Sequence, residues 1–260
     1  MRAVSDRTGS RTWRRLTDNR VGIQHGPMRA VVFDFFGTLT DPAVEAERRV
    51  AFAETAAALG VPAEVFWRRM SDSFGARATG RYGGTAATLR TIARECGAEP
   101  DEERLRLAVR VQHGGAERVR RPRVGVFDVL DDLRKRGFRL ALLSDCASEL
   151  CERWGDTPYA GYLDAAVFSW QEGYRKPDPR LYATAAARLD VPPGACWFVG
   201  DGGSREHSGA IIAGMRPVLV TNALVPGSAG YRDDPDPVRP EYVVDDLTEL
   251  PSLLGDPTYG

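Results

Sequence analysis

Four clusters of polar residues in this 260-residue chain each follow an apolar, strand-like segment. They combine carboxylates, hydroxyls and an ammonium group: Asp34 with Thr38, Ser144 with Asp145, Lys176 after Arg175, and Asp201 with Glu206. Carboxylate oxygens are ligands that Mg²⁺ prefers, and ammonium and hydroxyl groups bind phosphate oxygens. If the clusters meet in space, they bring together the groups that phosphate chemistry needs.

The carboxyl ends of neighbouring strands in an open parallel sheet face one crevice, so these clusters are expected to converge there. Each residue alone has a simpler interpretation. Asp34 and Ser144 could cap a turn or helix, Lys176 could be a surface charge, and Asp201 could belong to an Asx-turn. Four such coincidences in chain order are improbable, so the sequence predicts one site.

Segments with strand composition alternate with helical stretches along most of the chain. Strands are predicted from residue 29 to the glycine turn after Asp34, and then at FRLALLSD (138–145), AAVFSW (165–170), ACWFVGD (195–201), RPVLVTN (216–222) and EYVVDD (241–246). A short closing helix is predicted over 247–254. This alternation predicts an α/β fold whose core is a Rossmann-like, doubly wound parallel sheet.

Residues 43–120 differ from the rest, because they show helical periodicity without strand-like runs. We therefore expect an inserted all-helical unit over 43–120 and a core built from 28–42 and 121–260. Residues 1–27 carry six arginines and little apolar periodicity, which predicts a disordered leader or a start site placed too far upstream. The Pro-, Gly- and Asp-rich stretch 226–240 is expected to be an exposed loop.

Composition narrows the class of partner. Thirty-five basic residues against 36 acidic ones leave a net charge of −1, so no overall field favours nucleic acid or an anionic membrane. No apolar run approaches the roughly 18 residues of a membrane span. Four scattered cysteines predict idle thiols. We expect a cytoplasmic monomer or homodimer that acts on a small molecule, with neither a nucleic-acid nor a membrane partner.

The segments FDFFGTLTD, LLSD, RKPDP and VGDGGSREHSGA resemble, in this order, the four motifs of the haloacid dehalogenase (HAD) superfamily of hydrolases. The resemblance covers roughly residues 29 to 222. It implies a Rossmann-like core in which the insert 43–120 is similar to the helical cap that closes over the active site and selects substrates. It also implies a phosphatase-like hydrolase acting on a small phosphorylated metabolite.

The resemblance also implies a nucleophile and a metal site. Asp34 matches the family's nucleophile, whose carboxylate attacks phosphorus to give an aspartyl-phosphate. The resemblance places Mg²⁺ among Asp34, Asp201 and the backbone carbonyl of Phe36. In the last motif the family's second aspartate is replaced by Glu206, which remains a hard oxygen ligand for the metal or for a metal-bound water.

The phosphate contacts follow from the same match. Lys176 supplies the positive charge that binds phosphate and keeps the nucleophile ionised. Ser144 and backbone amides near Asp145 and Gly37 are expected to donate hydrogen bonds to phosphate oxygens. Thr38 braces the turn or touches the phosphate. Lys176 and Ser144 are therefore expected to act in catalysis together with the nucleophile.

One position departs from the pattern of the phosphatases. They usually carry a second aspartate two residues after the nucleophile as general acid and base, and here that residue is Phe36. An aromatic ring cannot carry the proton, whose transfer contributes about 10² to 10⁴ in rate. Either the leaving group needs no acid or another residue supplies the proton, the candidates being Asp145, Asp41, Arg77 and Tyr82.

Two further alternatives remain open. The chain could belong to the dehalogenase branch, which displaces halide from carbon without magnesium and commonly has an aromatic residue at this position. It could also be a non-catalytic protein that binds a phosphate ligand. Asp201 and Glu206 at metal-ligand positions favour the phosphatase alternative, because a metal-free dehalogenase does not need them.

Several other side chains have a structural and a functional interpretation. His207, beside Glu206, is expected to be a surface histidine at a helix start more often than a ligand or base. Helical spacing favours ordinary core packing over a substrate-binding wall for Phe66, Trp67 and Met70. A solvated hinge is expected for the basic cluster Arg118, Arg120, Arg121 and Arg123.

Overall fold

The computed structural model describes residues 29–226 and 234–255. Its strands are β1 Ala30–Phe33, β2 Arg139–Ser144, β3 Ala165–Phe168, β4 Cys196–Gly200, β5 Arg216–Val220 and β6 Tyr242–Val244. They form one six-stranded sheet in the order β3-β2-β1-β4-β5-β6, and every neighbouring pair is parallel. The chain runs outward from β1 to β3 and then crosses to β4 on the other side of β1. This reversal confirms the doubly wound sheet and leaves a crevice at the strand ends.

Strand β1 is buried on both faces, as expected of a central parallel strand. Val31 and Phe33 pack in the apolar cluster on one face, and Ala30 and Val32 pack in the cluster on the other. Phe33 pairs with Leu142 of β2 and with Val199 of β4. The register therefore brings the residues that follow all three strands to the same edge of the sheet.

Five helices follow β1 before α6 begins at Val126: α1 Glu47–Leu59, α2 Ala63–Asp72, α3 Phe74–Arg77, α4 Thr85–Glu95 and α5 Glu102–Arg118. We call them the helical insert. A 3₁₀ helix, Pro42–Ala46, precedes them. The insert has an apolar cluster of its own, which includes Phe52, Phe66 and Leu89. The expected all-helical insert is thus confirmed, while the limits 28–42, 43–120 and 121–260 stay predictions.

Six helices flank the sheet: α6 Val126–Lys135, α7 Ser148–Glu152, α8 Ser169–Glu172, α9 Pro179–Arg188, α10 Glu206–Ile212 and α11 Leu250–Leu254. Short 3₁₀ turns occur at Trp154–Asp156, Pro158–Gly161, Pro193–Ala195 and Leu247–Glu249. The predicted strand 165–170 ends at Phe168, because Ser169 begins α8. The closing helix 247–254 is present, with a 3₁₀ first turn capped by Asp246.

Two predictions concern segments at the limits of the described chain. The leader 1–27 lies outside the described residues. So do residues 227–233 of the predicted loop, whereas residues 234–240 contain neither helix nor strand and are mostly exposed. Within the described ranges, no single helix is long and apolar enough to cross a membrane, although the bent pair Pro42–Leu59 and Ala63–Asp72 meets that criterion when taken together.

Candidate active site

Lys176 lies between two carboxylates at the carboxyl edge of the sheet. Its Nζ is 2.5 Å from Asp34 Oδ1 and 2.6 Å from Glu206 Oε2. Asp34 directly follows β1, Lys176 lies in the loop before α9, and Glu206 begins α10. All three side chains are buried. Asp34 and Lys176 thus form an ion pair, although they lie 142 positions apart in the chain.

The protonation of this cluster follows from its burial and its charges. Burial alone would lower the pKa of Lys176, but the adjacent carboxylates of Asp34 and Glu206 outweigh it and raise the pKa well above its ordinary value. Burial raises the pKa of Glu206 well above its usual range, against the opposing effect of the Lys176 ammonium. Lys176 is therefore a fixed positive charge at neutral pH.

A cluster of three carboxylates can accept a divalent cation. Asp34, Asp201 and Glu206 each offer an oxygen, and these atoms lie within 4.8 Å of one another. Two of these carboxylates, Asp34 and Glu206, pair with the ammonium group of Lys176, so three acidic groups face one lysine charge and a hard cation would neutralise the excess. The donor set therefore fits Mg²⁺.

The three carboxylates are not equivalent. Glu206 Oε1 accepts a hydrogen bond from the Gly202 amide at 2.8 Å, and its Oε2 accepts one from Lys176. Both of its oxygens are thus used within the protein. Asp34 and Asp201 are the better candidates for direct ligands, and Glu206 is better placed to hold the ammonium group and the loop before α10.

Asp145 fixes the backbone that carries Lys176. Its Oδ1 accepts a hydrogen bond from the Lys176 amide at 3.0 Å, and its Oδ2 accepts one from Arg175 Nε at 3.1 Å. Burial raises the pKa of Asp145, although the charges of Lys176 and Arg175 oppose this shift. Asp145 therefore positions the lysine loop, a role that the sequence did not indicate.

The turn after β1 is held by Asn222, which the sequence analysis did not single out, and by Arg123, which it assigned to a solvated hinge. The Gly37 carbonyl accepts hydrogen bonds from Arg123 Nη2 at 3.0 Å and from Asn222 Nδ2 at 2.9 Å. Arg123 also donates to Asn222 Oδ1. The Gly37 amide donates to Thr40 Oγ1 at 2.9 Å, so in this arrangement it does not point to a phosphate as expected.

Only two of the four arginines that were expected to form a solvated hinge are exposed. Arg118 and Arg121 face solvent, but Arg120 is 7% and Arg123 is 6% exposed. Arg120 donates to the main-chain oxygen of Glu149. The expectation was wrong for these two residues, because each guanidinium lies inside the protein and donates to a main-chain oxygen of a distant segment, Arg120 to Glu149 and Arg123 to Gly37.

Thr38 and Ser144 lie where the motifs place them, but deep in the protein. Both are fully buried, and their hydroxyl oxygens have no hydrogen-bond partner within the described part of the chain. A buried hydroxyl without a partner costs about 1–3 kcal/mol. Both therefore stay candidates for contact with a bound phosphate.

A cavity of about 420 Å³ lies above the carboxylates, between the core and the helical insert. Its polar floor includes Asp34, Lys176 and Asp201. The insert contributes an apolar wall with Phe52, Trp67, Met70 and Phe74. Trp67 and Met70 thus both pack in the insert and face the cavity, whereas Phe66 is only a core residue.

Phe36 forms part of the cavity wall where the family pattern has a general acid. The guanidinium of Arg48 lies 5.1 Å from the centroid of its ring. Of the four alternative proton donors, Asp145 and Arg77 line the cavity, and Asp41 and Tyr82 are not among the described residues that do. Asp41 instead caps the 3₁₀ helix and pairs with Arg121 at 3.0 Å.

His207 is a core residue, so the expected surface histidine was wrong. It is fully buried, and its Nε2 lies 3.2 Å from the Val218 carbonyl oxygen. Burial lowers the pKa of His207 to about 4. The ring is therefore neutral at physiological pH and packs against Phe198.

The helical insert is hydrogen-bonded to the core beside the site. The Thr85 amide donates to Glu152 Oε1 of α7 at 2.8 Å, and the Thr85 and Ser148 hydroxyls are also 2.8 Å apart. Trp170 Nε1 donates to the Gly83 carbonyl at 3.0 Å. These contacts hold the start of α4 and the loop before it against the core.

Comparison with known proteins agrees with this geometry. A family model described as haloacid dehalogenase-like hydrolase matches residues 28–214. A phosphoserine phosphatase of Thermus thermophilus is 30% identical over 226 residues, which are 85% of this chain and 86% of that protein. A glyceraldehyde 3-phosphate phosphatase of Methanopyrus kandleri is 29% identical over 164 residues, 61% of this chain and 70% of that protein.

A solved structure of a dehalogenase is also similar to this chain. The crystal structure of a 2-haloacid dehalogenase from Pseudomonas syringae pv. Tomato is 26% identical, with a TM-score of 0.61, and the match covers 88% of this chain and 98% of that one. The two relatives from Thermus thermophilus and Methanopyrus kandleri are both named as phosphatases. With the four motifs gathered at one sheet edge, this chain belongs to the haloacid dehalogenase-like hydrolase family.

Proposed function

We propose that this chain is a Mg²⁺-dependent phosphatase that hydrolyses a small phosphorylated metabolite through an aspartyl-phosphate on Asp34. The observation that carries the proposal is the cluster of Asp34, Asp201 and Glu206 around Lys176. Magnesium would be held by Asp34, Asp201 and the Phe36 carbonyl, and it would neutralise charge on the phosphate and the nucleophile.

The chain's own residues account for the first displacement. The Asp34 carboxylate attacks phosphorus, the bond from phosphorus to the leaving oxygen breaks, and water then hydrolyses the aspartyl-phosphate. Two anions repel strongly in a water-poor cleft. Lys176 reduces this repulsion because its ammonium contacts the nucleophile directly. Asp145 keeps Lys176 in place through the backbone, and Ser144 and Thr38 are the hydroxyls available to the phosphate.

Phe36 limits the range of good substrates. Without the usual acid, the activation barrier is higher by about 3 to 5 kcal/mol for leaving groups that need a proton. Arg77 and Asp145 are the cavity residues that remain candidates from the sequence. Both oxygens of Asp145 already accept hydrogen bonds. We therefore expect activated esters to react fastest.

Dehalogenation is the second candidate function, because Phe36 and the likeness to the 2-haloacid dehalogenase favour it. In that reaction Asp34 would displace halide from carbon and would need no metal. Asp201 is then unexplained, since its carboxylate adds negative charge beside a nucleophile that already carries one. The phosphatase relatives also support the first candidate.

The test measures hydrolysis of p-nitrophenyl phosphate by the full chain with Mg²⁺ and with EDTA. We expect turnover that requires Mg²⁺ and that Asp34→Asn abolishes. Asp131→Asn is the matched control, because Asp131 is an exposed residue of α6. Turnover of 2-chloropropionate in EDTA would establish dehalogenation instead, and binding of phosphorylated metabolites without any turnover would establish a binding protein.

A further inference from the structure

Helix α10 begins with Glu206, but the residue before it cannot cap it. Asp201 and Glu206 are the first and last residues of the segment 201–206, which we call the metal loop. The first amides of a helix lack acceptors within the helix, and the side chain just before the helix usually supplies one. Arg205 holds this position, and its guanidinium has no acceptor atom. The acceptor therefore has to come from another segment.

Asp236 supplies that acceptor from 28 positions further along the chain. Its Oδ2 accepts a hydrogen bond from the Ser208 amide at 2.7 Å, and its Oδ1 accepts one from the Ser208 hydroxyl at 2.6 Å. Oδ1 also accepts the Val238 amide at 3.0 Å, which fixes the carboxylate relative to its own segment. A negative charge at this end of a helix is also favourable for the helix dipole. Asp236 thus caps α10 from a distant part of the chain.

The segment that carries Asp236 also holds the backbone of the metal loop. The Asp236 amide donates to the Gly202 carbonyl at 2.9 Å, and the Arg205 amide donates to the Asp234 carbonyl at 3.1 Å. The Gly202 amide in turn donates to Glu206 Oε1 at 2.8 Å. One residue of the metal loop, Gly202, therefore links Asp236 to a carboxylate of the site.

The backbone of the metal loop needs such support. Ser204 has a φ of +53° and Arg205 a φ of +49°, in the left-handed region that residues with a Cβ atom rarely adopt. Local preference therefore opposes the conformation of the loop. Such backbone persists only where the surrounding structure fixes it, and residues 234–238 provide contacts that do so.

Asp236, rather than Asp234, is the side chain on which this arrangement depends. Asp234 pairs with Arg205 at 3.1 Å, but the two side chains are 55% and 54% exposed, and exposed ion pairs contribute little to stability. Asp236 is half-buried, and its two oxygens accept three hydrogen bonds. Loss of the Asp236 carboxylate would therefore release the start of α10.

We propose that Asp236 is a positioning residue for the metal site, which fixes the metal loop so that Asp201 and Glu206 face the Asp34 carboxylate. Oxygens of these three carboxylates lie within 4.8 Å of one another. Mg²⁺ demands nearly octahedral geometry, so a shift of the metal loop would weaken its binding. This inference rests on the proposed function only in taking Mg²⁺ as the cation.

Calorimetric titration of the full chain with Mg²⁺, in the absence of substrate, tests this role. Asp236→Ala should raise the Kd of Mg²⁺ at least about tenfold, as other losses of groups that orient metal ligands do. Asp236→Asn keeps one acceptor oxygen and should raise the Kd less. Asp101→Ala is the matched control, because the Asp101 carboxylate caps α5 of the insert by accepting the Arg104 amide at 2.8 Å.

The control separates positioning of the metal loop from a general loss of stability. Both alanine variants remove a helix cap and should lower the thermal unfolding temperature, but Asp101→Ala should leave the Kd of Mg²⁺ unchanged. Equal Kd values for Asp236→Ala and Asp101→Ala would overturn the proposal. If Asp236→Ala fails to fold, as judged by circular dichroism, the same comparison is made with Asp236→Asn.

A double variant assigns the effect to the contact with Ser208. Ser208→Ala removes only the hydroxyl contact and should raise the Kd of Mg²⁺ less than Asp236→Ala does. Adding Ser208→Ala to Asp236→Ala should raise the Kd no further, because the two changes remove the same contact. Additive effects would contradict an action of Asp236 through α10.

Activity separates this inference from the proposed reaction. If p-nitrophenyl phosphate is not hydrolysed but Asp236→Ala still raises the Kd of Mg²⁺ about tenfold, the reaction is wrong and the positioning role stands. If p-nitrophenyl phosphate is hydrolysed with Mg²⁺ and Asp236→Ala leaves the Kd unchanged, the positioning role is wrong and the reaction stands. Absence of Mg²⁺ binding by the unmodified chain would overturn both.

Discussion

The carboxylate of Asp201 occupies the space that a side chain at Gly37 would need. A Cβ atom on Gly37 would lie 2.9 Å from Asp201 Oδ2, and the residue has a φ of +76°. The glycine of the first motif therefore lets the first acid of the last motif approach the strand end. This contact joins two candidate metal-binding segments that follow the adjacent strands β1 and β4.

Gly37→Ala should displace Asp201 and weaken metal binding. We expect the Mg²⁺ concentration for half-maximal activity to rise at least about tenfold, as for changes beside a metal ligand. Titration of activity with Mg²⁺ measures this. Gly97→Ala is the control, since Gly97 has a φ of +85° but no atom within 4 Å of an added Cβ. Both variants carry the left-handed strain of about 1–2 kcal/mol, so an equal change in Mg²⁺ requirement would refute a specific contact.

Lys176→Met should remove the positive charge beside the nucleophile. We expect kcat to fall by about 10² to 10³, because the loss resembles removal of one group that stabilises transition-state charge. The variant also leaves Asp34 and Glu206 without their buried partner, so thermal stability should fall. The double variant Lys176→Met with Glu206→Gln should recover stability but not activity. Lys135→Met, at an exposed position in α6, serves as control, and recovery of activity in the double variant would show that Lys176 is not required.

Phe36→Asp should restore a group able to carry a proton. We expect a higher kcat on esters with poor leaving groups and little change on p-nitrophenyl phosphate, whose leaving group needs no acid. Phe36→Asn is the matched control, because asparagine has nearly the size of aspartate but no titratable carboxyl group. A gain that appears equally in both variants would mean that the ring merely obstructs the cavity.

Stability should fall at alkaline pH because of Cys196. Burial in β4 raises the pKa of this thiol from 9.0 to about 12. The unfolded thiol therefore loses its proton at lower pH than the folded one, so the stabilisation is complete below pH 9 and is lost as the pH rises toward 12. At pH 10.5 the free energy of unfolding is lower by about 2 kcal/mol than it is below pH 9. Urea unfolding at pH 8 and pH 10.5 measures it, and Cys196→Val should show a smaller loss than the original chain; identical losses would contradict the assignment.

Much of the fold follows from local patterns. The apolar run of β1 and the helical periodicity of α1, α4 and α5 depend on neighbouring residues only, so their positions were predictable. The motif order also predicted that Asp34, Lys176, Asp201 and Glu206 meet. This worked because parallel strands bring their carboxyl ends to one edge whatever the loops contain.

The sequence by itself determined the parallel core, the helical insert and the residues at the strand ends. Only the tertiary structure decided which polar groups are already satisfied. The Gly37 carbonyl is held by Asn222, 185 positions away, and Glu149 is held by Gln112, 37 positions away. Periodicity contains no information on such pairs, because their contacts depend on how separate elements pack. Burial of Arg123 and the charge-lined cavity with Arg77 therefore emerged only from the packed molecule.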